Sequence, residues 1–246
     1  MKEKSNLIKI IQIVGTILFV TAIFSIVGLI MLRYEVEGET NMPFELSKII
    51  IVSTAEGIEV NQEVSTWNFN LMQNNDIYIY ISKNDNYRKT ELINEVTVEN
   101  LKVESNAKVG EICFFKQNNK NEYNYLEEEK IKEKLTYKGV QEIRNSNEIT
   151  NQGGTIKFRA SNMNLAQIIS NDGEEIIHNG TILQKANLTE NDIKFKIFFD
   201  VIIKLESGTY FKGKVSLDLP AQEIIEKGTS TIEINNFENI IFKRNS

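Results

Sequence analysis

The sequence IKFKIFFDVIIKL, residues 193–205, places an apolar side chain at every second position and mostly charged side chains between them. A period of two is typical of a β-strand with one face buried and the other in water. After Glu206–Gly208 the alternation resumes. Its inward positions are Phe211, Val215, Leu217 and Leu219. The two stretches predict a long antiparallel hairpin, and the extra apolar residues Phe198 and Ile202 predict partial cover on its outer face.

The rest of the chain after residue 43 carries weaker versions of the same pattern. Further strands are predicted at Glu45–Ser53, Val64–Asn70, Ile77–Ser82, Glu95–Val103, Glu111–Lys116, Gly154–Ala160 and Thr229–Lys243, the last with a break near Asn235. The separators are clusters of Asn, Asp, Gly and Ser, which tolerate the positive φ angles of tight turns. The predicted fold class is all-β, an antiparallel β-sandwich of one or two units.

One helix is predicted within this β-rich part, at Tyr123–Lys134, where Glu128 and Lys132 stand four residues apart. The resulting division of the chain is a β-rich unit at 44–117, a helix-containing connection at 118–150 and a β-sandwich unit at 151–246. The sequence leaves open whether these segments form one sheet system or two.

A different pattern stands near the amino terminus. Residues 13–32, IVGTILFVTAIFSIVGLIML, carry no charge, and at about 1.5 Å per residue they are long enough to cross a hydrocarbon core about 30 Å thick. The run is longer than the apolar region of a cleaved signal peptide, and it lacks the polar stripe of a core helix. It predicts a single transmembrane helix at 13–32, between a cytoplasmic segment at 1–12 and a linker at 33–43.

The charges that flank this helix predict its orientation. Lys2, Lys4 and Lys9 precede it, whereas Arg33 is the one basic residue that follows closely. Because positive flanks stay in the cytoplasm, the carboxyl-terminal part is expected outside it. Asn, Ile and Lys, which have AT-rich codons, are abundant in the chain. The predicted location is therefore the cell membrane of an AT-rich bacterium.

Thr21, Ser25 and Gly28 form a face of small residues on the predicted helix, at positions i, i+4 and i+7. Small residues let a neighbouring helix approach closely, so this face is a candidate for helix–helix packing. The chain has no G-x-x-x-G string in this segment. The alternative is an ordinary helix that contacts lipid through all its faces.

Charge and composition exclude several function classes. Lys and Arg total 28 against 34 Asp and Glu, a net charge of −6, which argues against nucleic-acid binding and against attraction of the outer part to anionic lipid. One cysteine excludes an internal disulfide, and one histidine excludes a multi-histidine metal site. No metal and no cofactor are predicted.

Candidate catalytic groups are few. Cys113 stands in an apolar strand, and His178 stands where a short strand runs into a turn. The string Ser105–Lys108 matches S-x-x-K, but in a strand–turn–strand setting instead of the start of a helix that this motif requires. The sequence therefore predicts a protein that is not an enzyme.

Aromatic residues on predicted strands supply the remaining candidates. Trp67, Tyr78 and Tyr80 are possible glycan contacts, because exposed aromatic rings can stack on sugars, although core packing is the favoured explanation for them. The predicted function is a non-enzymatic, membrane-anchored extracytoplasmic protein that binds a protein partner or takes part in envelope assembly. The alternatives are a cell-wall or glycan-binding module and a glycosidase that uses two carboxylates.

Overall fold

The computed structural model describes residues 2–63, 66–105, 107–171, 181–237 and 239–245. The chain divides into two bodies, Met1–Thr40 and Asn41–Ser246. The first contains helix α1 (Lys2–Glu37), and the second contains two β-sheets with three short helices.

The segment Gln12–Glu37 of α1 is long and apolar enough to cross a membrane. Its large apolar side chains are exposed, with exposed fractions from 43% at Val20 to 72% at Phe24. A core helix of a soluble protein would bury such side chains, so the helix is not part of the protein core. Its hydroxyls bond within the helix: Thr21 Oγ1 donates to the carbonyl of Ile17, and Ser25 Oγ donates to that of Thr21, both at 2.9 Å.

Eleven strands are described in the second body. They are β1 (Phe44–Glu63), β2 (Thr66–Lys83), β3 (Ile93–Ser105), β4 (Glu111–Phe115), β5 (Lys134–Val140), β6 (Glu148–Thr150), β7 (Gly154–Asn171), β8 (Phe195–Leu205), β9 (Tyr210–Asp218), β10 (Thr229–Ile234) and β11 (Phe242–Asn245). The short helices are α2 (Thr181–Lys185), α3 (Glu190–Ile193) and α4 (Gln222–Lys227).

The strands form two sheets, which confirms the all-β prediction. The first sheet has the order β10-β1-β2-β7-β4, and the second has the order β11-β9-β8-β3-β5-β6. The described pairings are antiparallel except that of β5 with β6. Both sheets contain strands from 44–117 and from 151–246, so these two segments build one sandwich.

The predicted hairpin is β8–β9, in which Phe199 pairs with Val215. The inward residues of β8 are buried, as the alternation predicts, and the outward residues Phe198 and Ile202 are half-buried. The predicted strand Thr229–Lys243 is two strands, β10 and β11, which lie in different sheets with the break between them. The sequence pattern did not predict strands β5 and β6.

The predicted helix at Tyr123–Lys134 is wrong. This segment is irregular apart from a three-residue 3₁₀ turn at Glu127–Glu129, with Tyr125 in the left-handed region at a φ of 57°, and its last residue begins β5. Glu127 forms ion pairs with Lys130 at 2.9 Å and Lys132 at 3.2 Å, so the charges pair across a turn and not along a helix.

The separate strands predicted at Val64–Asn70 and Ile77–Ser82 are also wrong as separate elements. Within the described residues, β2 runs without interruption from Thr66 to Lys83. The intervening amides Gln73, Asn74 and Asn75 suggest a turn, because free amide side chains favour turns. In the structure all three are buried, and their side-chain amides donate to the Pro220 carbonyl, the Tyr125 hydroxyl and the Ala160 carbonyl, respectively.

Two apolar clusters fill the second body. The larger lies between the two sheets and includes Phe158 of β7 and Phe199 of β8, whose rings meet edge to face with centroids 5.2 Å apart. The smaller includes Leu71 of β2, Ile182 of α2 and Ile224 of α4. The short helices therefore cover the inner face of the first sheet where it extends beyond the sandwich.

We predict that Phe158→Ala lowers the free energy of unfolding by about 3–5 kcal/mol, because it leaves a cavity against Phe199. Denaturant unfolding of the full chain in neutral detergent, followed by circular dichroism, measures this change. The matched control is Phe198→Ala on the half-buried outer face, which should cost about 1 kcal/mol or less. Equal losses in the two variants would contradict the assignment of Phe158 to the core.

Candidate functional site

The structure brings together two of the three aromatic residues singled out in the sequence. Tyr78 and Tyr80 are half-buried neighbours on the outer face of β2, the face turned away from the sandwich core. Trp67 lies on the opposite face of the strand, because it is an odd number of residues from both. At about 3.3 Å per residue it is roughly 36 Å from Tyr78 along β2. The three residues therefore do not form one sugar-binding surface, and glycan binding by Tyr78 and Tyr80 stays a prediction.

Side chains of the protein itself already contact this tyrosine pair. The ammonium of Lys48 lies 4.8 Å from the centre of the Tyr80 ring. Partial burial, followed by the charge of Asp76, raises the pKa of Tyr78. A sugar that stacked on Tyr80 from the side of Lys48 would have to displace this cation–π contact.

The outer face also carries an ion pair that joins β2 to β7. Asp76 and Arg159 are register partners in the two strands. The guanidinium donates two parallel hydrogen bonds to the carboxylate, Nε to Oδ1 at 2.6 Å and Nη2 to Oδ2 at 2.9 Å. Only 14% of the Arg159 side chain and 18% of the Asp76 side chain are exposed. Such a bidentate, partly buried pair fixes both side chains in one geometry.

A segment that we call the tyrosine strap, residues 116–130, contacts this ion pair. The hydroxyl of Tyr125 accepts a hydrogen bond from Nη1 of Arg159 at 2.6 Å and one from Nδ2 of Asn74 at 2.8 Å. The ring of Tyr123 lies 4.2 Å from the guanidinium carbon. Buried Glu129 holds the turn of the strap by accepting from the backbone N–H of Asn124 at 2.9 Å.

The two tyrosines of this cluster keep their hydroxyl protons near neutral pH. Burial is the largest cause that raises the pKa of Tyr125 to about 12, even though the charge of Arg159 opposes it. Burial also raises the pKa of Tyr123. General acid–base catalysis needs a pKa near the working pH. The arrangement therefore fits a structural lock between the strap and the sheet.

Sequence reasoning missed Asp76, Arg159, Tyr123 and Tyr125. A usable signal was the alternation TIKFRA at 155–160, which places Arg159 on the outward face beside the inward Phe158. The contact of Arg159 with Asp76 depends on the pairing of β2 with β7, and its contacts with the two tyrosines depend on the path of the strap. Neither of these follows from local periodicity.

A second polar group lies inside the sandwich. Ser53 Oγ donates to Asn75 Oδ1 at 2.6 Å, and Asn75 Nδ2 donates to the carbonyl of Ala160 at 3.1 Å. Gln73 Nε2 donates to the carbonyl of Pro220 at 2.7 Å. Among the described residues Gln73 Oε1 has no hydrogen-bond partner. We call Ser53, Gln73 and Asn75 the amide layer.

The remaining candidate reactive residues are dispersed. Cys113 is half-buried on the edge strand β4, and burial is the largest cause that raises the pKa of its thiol. Ser105 ends β3, so the S-x-x-K string does not begin a helix. His178 lies outside the described residues. In the described part of the chain no group of three or more His, Cys, Asp or Glu side chains could hold a metal ion.

A third feature is a three-stranded arm, residues 55–63, 66–72 and 164–171, which continues beyond the residues that pair with β10 and β4. Ile58 and Ile169 pair with Asn70 and Asn68 of β2, so both project from the outer face. Their exposed fractions are 37% and 69%, and that of Val60, at a bulge in β1, is 54%. These three aliphatic side chains are therefore in contact with solvent in the part of the first sheet that lies beyond the sandwich.

Comparison of the chain with protein-family models, curated proteins and solved structures found no match in any of the three.

We predict that the folded protein loses stability as pH rises from about 10 to 12. Burial raises the pKa of Tyr137 to about 12, and its hydroxyl accepts from the backbone N–H of Lys157 at 3.1 Å. An unfolded tyrosine has a pKa near 10. The folded state thus holds the proton that the unfolded state releases, so this contribution is complete below about pH 10 and is lost as pH rises through the folded value.

Thermal or denaturant unfolding at pH 8 and pH 11 tests this linkage. Tyr137→Phe should reduce stability at pH 8 by about 1 kcal/mol through the lost hydrogen bonds. It should also flatten the alkaline decline by up to about 1.4 kcal/mol per pH unit. Parallel declines in the wild type and the variant would show that Tyr137 does not contribute to the linkage.

Proposed function

We propose that the protein is a single-pass protein of a bacterial cell membrane that holds its β-sandwich outside the cytoplasm and binds a protein partner through the three-stranded arm, without catalysing a reaction. The observation that carries the binding role is the exposure of Ile58, Val60 and Ile169 on the arm. The observation that supports anchoring is the exposed apolar surface of Gln12–Glu37. Such a surface is stable in lipid and costly in water.

The orientation is supported by the flanking charges. Lys2, Lys4 and Lys9 precede the apolar segment, and the Lys and Arg bias of short flanks sets the direction of insertion. At the other end Arg33 pairs with Glu37 at 2.7 Å. The basic flank is therefore the amino-terminal one, and the sandwich lies on the opposite side of the membrane.

The side chains on the outer face of the arm are of the kinds that favour a protein partner. Between Ile58 and Ile169 on the outer face lie the amides of Asn68 and Asn70 on β2. Aliphatic groups interspersed with uncharged hydrogen-bonding groups are typical of the centre of protein interfaces, where charged residues are depleted. A glycan would need exposed ring faces, which the outer face of the arm does not offer in its described residues.

Glycan binding at Tyr78 and Tyr80 is the second candidate function. It is favoured by one observation: the two rings are half-exposed neighbours on the same face of β2. The Lys48 contact with Tyr80 weighs against it.

We predict that the sandwich is labelled from outside intact cells. Cys113 is the only cysteine, so Cys113→Ser provides a background for single reporters. In that background Lys120→Cys, in the exposed part of the strap, should react with a membrane-impermeant maleimide. Ser5→Cys should react only after the cells are permeabilised. The reverse labelling, or a mature chain that begins after Tyr34, would contradict the proposed topology.

We predict that a photo-crosslinking amino acid at Ile169 captures one protein partner in cells, whereas the same amino acid at Ser216, on the exposed face of β9, does not. With the identified partner purified, Val60→Asp should weaken its binding at least tenfold, because it places a charge in an apolar contact. The matched control Ile143→Asp, at an aliphatic residue 52% exposed elsewhere, should change binding less than twofold.

Three outcomes would contradict the proposal that the arm binds a separate protein partner. Equal loss of affinity in both Asp variants would remove the arm as the site. Capture of a second copy of this chain would replace a separate partner by self-association. Retention of the wild type on a polysaccharide gel, with loss in Tyr78→Ala, would favour the glycan alternative.

A further inference from the structure

A cavity of about 440 Å³ opens at the end of the sandwich where β1 begins. Three basic side chains line it: Arg88 and Lys89 from the loop between β2 and β3, and Arg244 from β11. One carboxylate, that of Glu91, is also part of the lining. The cavity is therefore locally cationic, although the chain as a whole is acidic.

The fold assembles this cavity from distant parts of the sequence. Asn84, at the start of the β2–β3 loop, donates from its backbone N–H to the carbonyl of Pro43 and from Nδ2 to that of Met42, both at 2.9 Å. Arg244 is the register partner of Phe211 in β9. The loop is thus fixed to the first residues of the sandwich, and the last strand is fixed to β9, which contributes Phe211 to the cavity lining.

Two of the cations are available to a ligand. Arg88 and Lys89 are exposed, and neither forms an ion pair within the part of the chain that the structure describes. Buried Leu205 and Phe211 also line the cavity. The cavity therefore combines exposed guanidinium and ammonium groups with apolar walls.

The covalent chain limits how far this cavity can lie from the apolar helix. Asn41 belongs to the cavity lining, and only Gly38, Glu39 and Thr40 separate it from the last residue of α1. Even fully extended, this link places Asn41 within about 14 Å of Glu37. The limit holds for any angle between helix and sandwich.

We infer that this cavity binds the phosphate group of an anionic phospholipid in the membrane that holds α1. Guanidinium groups match phosphate oxygens in a planar fork, and an ammonium adds a compact charge. The lipid source is favoured over free phosphate because the short link keeps the cavity near the bilayer surface. The inference rests on the proposed membrane anchoring. The net charge of −6 does not oppose it, because that charge is a sum over the whole chain and binding requires only the positive charge of the cavity.

The test compares the lipid retained by three forms of the full chain. Each is purified in neutral detergent mixed with equal amounts of phosphatidylglycerol and phosphatidylcholine, and the retained lipid is counted by phosphorus NMR. The attraction of one Lys or Arg to anionic lipid, about 1 kcal/mol, corresponds to about a fivefold change in a binding constant. The wild type should retain phosphatidylglycerol in at least fivefold excess, and the triple variant Arg88→Gln, Lys89→Gln, Arg244→Gln should lose this excess.

The matched control removes the same charge elsewhere, by Lys102→Gln, Lys120→Gln and Lys214→Gln, and should keep the selectivity of the wild type. If the cavity variant does not fold by circular dichroism, the double variant at the exposed Arg88 and Lys89 replaces it. Equal selectivity in the wild type and the cavity variant would overturn the inference. Equal losses of selectivity in both triple variants would also overturn it, because they would show that selectivity depends on net charge and not on the cavity.

Competition separates the two sources of phosphate. Phosphatidylglycerol that resists millimolar inorganic phosphate but is displaced by a short-chain phosphatidylglycerol supports the lipid assignment. Equal displacement by inorganic phosphate overturns it. A failure of the proposed topology gives a different result, namely reversed maleimide labelling or a mature chain that begins after Tyr34, with lipid selectivity of the full chain retained in detergent. A failure of the lipid assignment leaves a correctly labelled protein without selectivity.

Discussion

The pleat of β7 is the constraint on which both faces of the first sheet depend. Neighbouring residues of a strand point to opposite faces, so Phe158 contacts Phe199 in the core while Arg159 binds Asp76 on the outer face. A slip of one residue would place the guanidinium among the core phenylalanines, at a cost of several kcal/mol. The core and the outer ion pair thus specify the same register, in which Tyr125 of the tyrosine strap contacts Arg159.

Local periodicity was sufficient for the parts of the fold that bury one face. The β8–β9 hairpin follows from its alternation alone, and the apolar run at 13–32 is enough to identify a helix that could span a membrane. Periodicity failed where polar residues are buried by tertiary contacts. Gln73 to Asn75 look like a turn until their partners in β7 and at Pro220 are known, and Glu128 with Lys132 suggest a helix until Glu129 is seen to be buried.

The candidate sites divide in the same way, into residues that are close in the sequence and residues that only the fold brings together. Tyr78 and Tyr80 were found as a pair because they stand two residues apart on one strand. The outer ion pair and the basic cavity join residues that are more than 80 positions apart, such as Asp76 with Arg159 and Arg88 with Arg244. The net charge of the chain reveals neither the ion pair nor the cavity, because it does not say where the charged residues lie in the fold. The acidic composition therefore excludes an extended basic surface but not a small cationic cavity.

The amide layer determines where the sandwich ends and the arm begins. A strand with uninterrupted apolar alternation can shift by two residues relative to its neighbour and still bury the same face. Burial alone therefore does not determine how far β1, β2 and β7 extend beyond the sandwich. Ser53, Gln73 and Asn75 remove this freedom, because a shift would separate Gln73 from Pro220 and Asn75 from Ala160. Each buried group left without its partner costs about 1–3 kcal/mol. Polar residues that weaken the core locally thereby hold the exposed residues of the arm at a fixed distance from it.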